Sequence, residues 1–399
     1  KVVRIATTNM VNATTTSGSS LLIKNLTHYR ANYNTGAASV GNYGARYAGA
    51  LGNSLKVSVC GGASAFAATT VTTTNATSNL GGSSIEVTLG QKFIVGDIIT
   101  AIGSDTTRYK VSAITFDSGA TGAATVTLAQ EDDSTQKLAV AVSNNSNISR
   151  EWEFANLFNK APGTSTYAST RASAGVTDEM HIIVLDEDGL ISGTPGTILE
   201  KFEAVSKASD AKDEFGSTNY YVSILENKSE WMYWLDHSST MGSAGSAAAG
   251  VTFGTGTLPD SLSFTNGADG RQPTTGQKIT AWNTHFGSAD NQDISLMISG
   301  SNQADNGSGT AVATRAEATG YYNQLMNIAE DRKDCVVFFS PVKSDVVDSG
   351  TAGATNVKAT ADSLNSSSYA TMSSNWLYQY DRYNDRYVYV PDNGSVAGL

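Results

Sequence analysis

Between residues 85 and 142 the chain carries five short apolar runs, at 85–89, 93–102, 109–116, 125–129 and 138–142, parted by Gly and Asp. Runs of this length at regular short spacing read as strands of a small antiparallel barrel or sandwich. A low-complexity stretch rich in Ala and Thr, 63–79, precedes them, and Asn144-Asn145-Ser146-Asn147 follows as an exit linker. Residues 63–147 are therefore predicted to form an inserted outer β domain. With 399 residues, two or three domains are expected in all.

Outside that block the pattern is mixed. Residues 1–5 read as a short buried strand, and 21–26 is the one apolar island in a polar stretch running from 6 to 44. Leu55, Val57 and Val59 alternate with Lys56 and Ser58, the period of a half-buried strand. Residues 150–159 have helical spacing, with Trp152, Leu157 and Phe158 as core contacts. Residues 180–185 are a continuous apolar run, hence a buried strand; Asp186-Glu187-Asp188-Gly189 is a turn, and 197–206 resumes as a strand. Residues 219–235 hold the densest aromatic core material, and 238–257 read as a loop. A strand at 294–298, a helix at 311–330 and a strand at 335–339 form a crossover with parallel pairing. In that helix Val312, Ala316, Thr319, Tyr322, Met326 and Ala329 recur at three or four residues. Residues 376–390 read as a Tyr-rich antiparallel ribbon turning at Asn384-Asp385. The expected class is α+β and multidomain. A β-sandwich-like middle domain with flanking helices takes 1–62 and 148–275, the insertion takes 63–147, and an incomplete α/β domain takes 276–399.

Composition narrows the function. Hydrophobic residues make up 40%, enough for real cores, while charged residues are only 16%. A net charge of −11, with no basic run, argues against coating nucleic acid. No apolar run reaches the roughly 18 residues that span a membrane. Cys60 and Cys335 belong to no CxxC pair and read as buried free thiols. The chain opens at Lys1 without methionine or a signal pattern, and Leu399 follows a Gly-rich stretch with no helix or cap. Both ends suggest a piece of a longer protein.

No catalytic constellation stands out. GxSxG, HExxH and the phosphate-binding GxxxxGK[ST] loop are all missing. His28, His181, His237 and His285 are scattered and read as surface or satisfied core residues. A calcium loop opening at Asp186 fails, because Leu190, Ile191 and Thr197 occupy its fifth, sixth and twelfth places. Asp381, Asp385 and Asp392 lie among Arg382, Arg386 and tyrosines, as on a charged ribbon or a salt-bridged interface. The sequons at Asn25 and Asn227 are expected by chance in so polar a chain. No catalytic, cofactor-binding or metal residue is therefore assigned, and subunit-interface residues stay open.

Several segments resemble contractile tail sheath proteins of myovirus-type phages. The stretch Ala45-Arg46-Tyr47-Ala48-Gly49-Ala50-Leu51-Gly52-Asn53-Ser54-Leu55-Lys56-Val57 is similar to a sheath signature whose usual proline is replaced by Ala48. Met180 to Ser206, leading into Ser206 to Tyr221, is similar to a second. Gly267-Ala268-Asp269-Gly270 resembles a Gly-rich sheath loop with one Gly replaced by Ala268. The stretch from Arg332 to Pro341, with Asp334-Cys335 and Ser340-Pro341, resembles a strand exit. Tyr380 to Tyr387 and Val390 to Leu399 resemble the segment that closes with Ala397-Gly398-Leu399. The shared order covers most of 1–62 and 150–399, and 63–147 shows no match, as a variable outer insertion would not.

The resemblance implies a structural virion protein, not an enzyme, that needs no cofactor. It would polymerise with itself as a helical homo-oligomer around a tail tube and contract to drive the tube through the host envelope. Implied partners are the tail tube protein and the baseplate and tail terminator proteins, with no nucleic acid and no membrane. The implied location is the virion tail, assembled in the host cytoplasm. The resemblance also implies terminal arms beyond 1 and 399 that add strands to neighbouring subunits. The 399 residues alone are accordingly expected to stay monomeric. The rival reading is a secreted or surface β-rich adhesin that binds glycans, supported by polar composition and the aromatic cluster near Trp231. A hydrolase using paired carboxylates has no motif behind it.

Overall fold

The computed structural model describes residues 3–7, 9–16, 20–171, 176–301 and 314–399. It divides into two compact units, Val11–Asp269 and the pair Lys1–Met10 with Gly270–Leu399. Mixed helices and several sheets agree with the α+β class read from the sequence.

The larger unit is organised by an antiparallel four-stranded sheet in the order Thr197–Ser206, Glu179–Asp186, Leu55–Cys60, Asp260–Ser263. Every residue of Glu179–Asp186 is buried. Met180, Ile182 and Val184 pack with Leu55, Val57, Val59, Tyr221, Leu225 and Trp234 on one face. Ile183 and Leu185 pack with Cys60, Trp152 and Phe158 on the other. A strand covered on both faces has no polar side to present, which explains a run that is apolar but for His181. The same cover corrects the half-buried reading of Leu55–Cys60. Only Lys56 there is less than fully buried, and it pairs with Glu187 at 2.8 Å. Ser58 lies inside because its hydroxyl accepts a hydrogen bond from the Trp152 indole at 2.9 Å.

A second sheet of six antiparallel strands spans residues 67–151. Its order is Ala67–Thr73, Asn147–Glu151, Ile98–Ile102, Tyr109–Phe116, Ala124–Gln130, Ser84–Val87. Four of the five apolar runs supply strands. The fifth, 138–142, buries Leu138 and Val142 in the same core but contributes only a bridge from Val142 to Ser78. The stretch read as low complexity supplies Ala67–Thr73, and Asn147 opens a strand where a linker was expected. That strand also corrects the helix expected at 150–159. Arg150 pairs with Ala68 on one side and Ile99 on the other, so ladder hydrogen bonds override the local period. One 3₁₀ turn, Ala155–Leu157, is all the helix that remains; Trp152 and Phe158 are buried as expected, and Leu157 is half-buried.

In the smaller unit, Leu296–Ile298, Val336–Phe339 and Ala370–Met372 form a parallel sheet in that order. The helix Arg315–Arg332 begins at a capping box, with Thr314 and Glu317 bonded reciprocally. It ends where Lys333 turns left-handed at φ 64°. Its Tyr322, Met326 and Ala329 pack on Met297, Val337 and Phe339, but Ala316 is exposed. The expected start at 311 and Val312 lie outside the described residues. Among residues 3–5 there is no strand, and Val3 and Ile5 are half-buried. Asn393–Ala397 forms a short helix where none was expected, and Asn393 ties it to Ser340 and Ser299. The strand Ala370–Met372 and the helices Thr275–Phe286 and Gly353–Asp362 were not anticipated either.

Candidate functional site: an exposed tyrosine ribbon

The ribbon at the end of the smaller unit pairs Trp376–Asp381 with Arg386–Pro391, from Trp376 opposite Pro391 to Asp381 opposite Arg386. It is rooted by Trp376, 8% exposed, whose indole donates to the Pro341 carbonyl at 2.9 Å. Side chains alternate across a strand, so Trp376, Tyr378 and Tyr380 share one face with Tyr387 and Tyr389. Tyr378 lies opposite Tyr389 and Tyr380 opposite Tyr387. Beyond the root these tyrosines are bare: Tyr378 is 59% exposed, Tyr380 52%, Tyr387 60% and Tyr389 38%. Their ring centroids lie 4.6 Å (378 to 389), 5.1 Å (378 to 387) and 5.2 Å (380 to 387) apart, a continuous aromatic ladder. Lys343 stands over Tyr389 at 4.9 Å. At the tip Tyr383 is 92% exposed.

The acidic residues of the ribbon hold its shape. Asp381 accepts from the Tyr383 amide at 3.1 Å and from Asn384 Nδ2 at 2.7 Å, which keeps its carboxyl below the usual range. Asp385, left-handed at φ 48°, accepts from the Tyr380 hydroxyl at 2.5 Å. Asp392 precedes the helix Asn393–Ala397 as its N-cap residue. Among the described residues no third strand pairs with either edge of the ribbon, so both edges present free main-chain groups. An exposed aromatic ladder, unpaired edges and an arginine-bearing turn are features common to surfaces that bind other chains.

Elsewhere, Asp186 is held by structural partners. Asp186 is fully buried. Its carboxylate accepts from Ser54 Oγ at 2.5 Å, the Ile191 amide at 2.9 Å, and the Ser192 amide and hydroxyl at 2.6 and 2.8 Å. Burial pushes its pKa up, but these donors outweigh burial and hold it at about 2. The Asp186 turn, with Gly189 at φ 77°, is therefore a self-satisfied loop. Among the described residues no group of three His, Cys, Asp or Glu could hold a metal ion. Melting curves with EDTA and with added calcium are expected to overlay; a rise of several degrees with calcium would show a site at this turn.

The histidines are not gathered. His285 is exposed, and His28 is half-buried, with its ring edge-on to Tyr33 at 5.7 Å. His237 is held by Tyr221 at 2.5 Å. His181 is buried and stacked on Phe158 at 4.1 Å. Its Nδ1 accepts from the Ala204 amide at 3.0 Å, so Nε2 carries the proton and donates to the Lys160 carbonyl at 2.9 Å. Burial lowers the pKa of both His181 and His237. Neutral imidazole is thus the folded form, and its stability contribution is present above the unfolded pKa near 6.5 and lost as pH falls below it. Asp97 opposes this, because burial raises its pKa to about 6 and the folded state takes up a proton there. Urea midpoints should fall from pH 7.5 to pH 5.5, and Asp97→Asn should steepen the fall. A flat profile in both proteins would remove the histidine effect.

Both thiols are buried and free; burial raises the Cys60 pKa to about 12 and raises that of Cys335. Asn25 caps a helix through the His28 amide, and Asn227 donates to the Ser223 carbonyl. Among the described residues, Lys207, Arg150 and Arg332 are buried cations that local sequence pattern does not mark. Lys207 donates to the carbonyls of Gly61 and Thr177 at 2.6 and 2.9 Å, and burial lowers its pKa to about 8. Arg150 is 1% exposed.

No family model matches the chain. Among curated proteins, the tail sheath protein of Salmonella phage ViI is 23% identical over 403 aligned residues, covering 97% of this chain. The chain resembles phage tail sheath proteins. That of Vibrio phage KVP40 is 44% identical over 87 residues, 18% of this chain and 13% of the relative. That of Enterobacteria phage T4 is 31% identical over 136 residues, 32% of this chain and 19% of the relative. The chain spans 56% of the length of the ViI protein. The resemblance read from the sequence motifs is thus matched by three named relatives, but an alignment over 97% of the chain also runs through residues 63–147, where no match was expected.

Proposed function

We propose that this chain is part of a contractile tail sheath subunit, a structural virion protein that assembles with copies of itself around a tail tube. The observation that carries the reading is similarity along 97% of the chain to a protein named for that role. The exposed tyrosine ribbon adds a surface suited to assembly. Sheaths of this kind need head-to-tail contacts that do not close on themselves, and a projecting ribbon with two free edges can serve such a contact. Contraction is re-docking of rigid subunits, with the tube, baseplate and tail terminator as partners. The test is negative-stain microscopy of the complete protein, alone and with tail tube. Tubes or rings are expected; a protein that stays monomeric at high concentration in both conditions overturns the reading.

The six-stranded sheet is, on this reading, a separable outer insertion. Its support is its own core and the adjacency of its ends, since Ala67 pairs directly with Glu151. Closing residues 67 and 151 with Asn-Gly in place of 68–150 therefore needs only a hairpin turn. The shortened chain is expected to melt cooperatively with native-like circular dichroism. An insoluble or molten product would make the sheet part of the main core.

A further inference from the structure

Two connections, near residues 60–67 and 151–158, join the six-stranded sheet to the four-stranded sheet. Units joined so sparingly move against each other by default unless something fixes them. Arg150 lies at this junction. It belongs to the strand Asn147–Glu151, yet its guanidinium reaches out of that sheet. Nη1 donates to the Ala65 carbonyl at 3.2 Å, and Nη2 donates to the carbonyls of Ser64 at 3.1 Å and Thr257 at 2.5 Å. The first two acceptors lie in the incoming connection. The third lies in the loop that leads into Asp260–Ser263 of the four-stranded sheet. Two residues on, Trp152 enters the other core and bonds Ser58.

The charge on Arg150 is answered from its own sheet. Asp97, 1% exposed, has Oδ1 3.7 Å from Nη1, too far for a hydrogen bond. Its Oδ2 accepts from the Ile94 amide at 3.0 Å. Oδ1 of Asp97 and Nε of Arg150 are both buried without a hydrogen-bond partner among the described residues. Replacing a buried ion pair with apolar side chains is often neutral or stabilising, so the pair itself gives little reason for a cation here. The forked geometry gives a better one, because a planar guanidinium can hold several carbonyls at fixed angles where an ammonium cannot.

We infer that Arg150 is an orientation clamp, whose bonds to the carbonyls of Ser64, Ala65 and Thr257 lock the six-stranded sheet to the four-stranded sheet. Asp97 neutralises the clamp and is not the lock. The clamp makes the two sheets one rigid body, and it stands whether or not the chain is a sheath subunit.

Hydrogen exchange read by mass spectrometry on the full chain tests it, with Arg150→Met, Arg150→Lys and Asp97→Asn. Opening at the junction should raise exchange of residues 62–67 and 152–158 at least about tenfold in Arg150→Met, and comparably in Arg150→Lys, which keeps charge without the fork. Tyr109–Phe116 and Glu179–Asp186 should keep their protection, because each lies in its own core. Asp97→Asn should leave junction exchange within about twofold of the parent. Unchanged junction exchange in Arg150→Lys would overturn the clamp. So would equal loss of protection in both sheets, which would make Arg150 an ordinary core residue. Loosening by Asp97→Asn as large as that by Arg150→Met would assign the lock to the ion pair instead. If Arg150→Met does not fold, the lysine and asparagine variants decide alone.

Discussion

Serine at Tyr378, Tyr380 and Tyr387 together is expected to leave the complete protein folded and to raise the concentration needed for assembly by about two orders of magnitude. The three rings are more than half exposed, so their removal opens no cavity and exposes no core. A thermal midpoint within a few degrees of the parent should follow. Assembly is different. Tyrosine supplies large rigid area and a hydroxyl at small cost in side-chain freedom, and buried aromatic anchors carry most of the energy of an interface. The ladder is continuous through Tyr387, which touches both Tyr378 and Tyr380. Removing the middle ring therefore breaks the surface rather than trimming it. Tyr380 also bonds Asp385, so Tyr380→Phe separates loss of turn geometry from loss of ring area. Light scattering against concentration reads the result. Unchanged assembly by the triple variant would move the interface elsewhere on the subunit and leave the ribbon a solvent-exposed decoration.

The ribbon was legible because its signal is local. Alternating aromatics around Asn384-Asp385 specify pairing and turn together, and the register follows. Glu179–Asp186 was legible for a related reason: a strand covered on both faces has a composition few other elements share. Leu55–Cys60 was half legible. Its alternation gave the strand, but Ser58 is inside because of Trp152, a partner 94 positions away that no local pattern contains. The helix expected at 150–159 failed in the same way. The spacing of Trp152, Leu157 and Phe158 gave the core contacts, while pairing with Ala68 and Ile99 decided the backbone. In the helix Arg315–Arg332 the capping box at Thr314 and Glu317 was present in the sequence and marks the start better than the apolar period did. The sequence carries none of the common catalytic motifs. Asp186, the best decoy, has its carboxylate occupied by Ser54, Ile191 and Ser192, and Ser54 reaches it only through the fold. Arg150 was beyond reach altogether, because Asn147-Ile148-Ser149-Arg150-Glu151 looks like any exposed edge strand, and only the fold brings three carbonyls to it.

Trp152→Ala is expected to cost roughly 3–5 kcal/mol, the largest loss of stability from any single truncation in the larger unit. Trp152 is 1% exposed and organises the second core of that unit. Its ring stacks on Phe158 with centroids 5.4 Å apart and meets Phe154 edge-on at 5.5 Å. Phe158 in turn stacks on His181, so the ring anchors a chain of contacts that ends on a buried strand. Truncation would leave a cavity bounded by the sheet through Ile183 and Leu185, and a sheet relaxes poorly into space on one side. The indole nitrogen adds a polar term, since without it the buried Ser58 hydroxyl loses its donor. Trp152→Phe separates the two effects. It keeps most of the ring volume and should cost about 1–3 kcal/mol, chiefly from the stranded hydroxyl. Combining Trp152→Phe with Ser58→Ala should recover part of that loss, because an unpaired buried group costs more than no group at all. Urea unfolding at pH 7.5 measures all three. The decisive comparison is between the alanine and phenylalanine variants: equal losses would mean the cavity contributes nothing and the Trp152 core collapses freely around the missing ring.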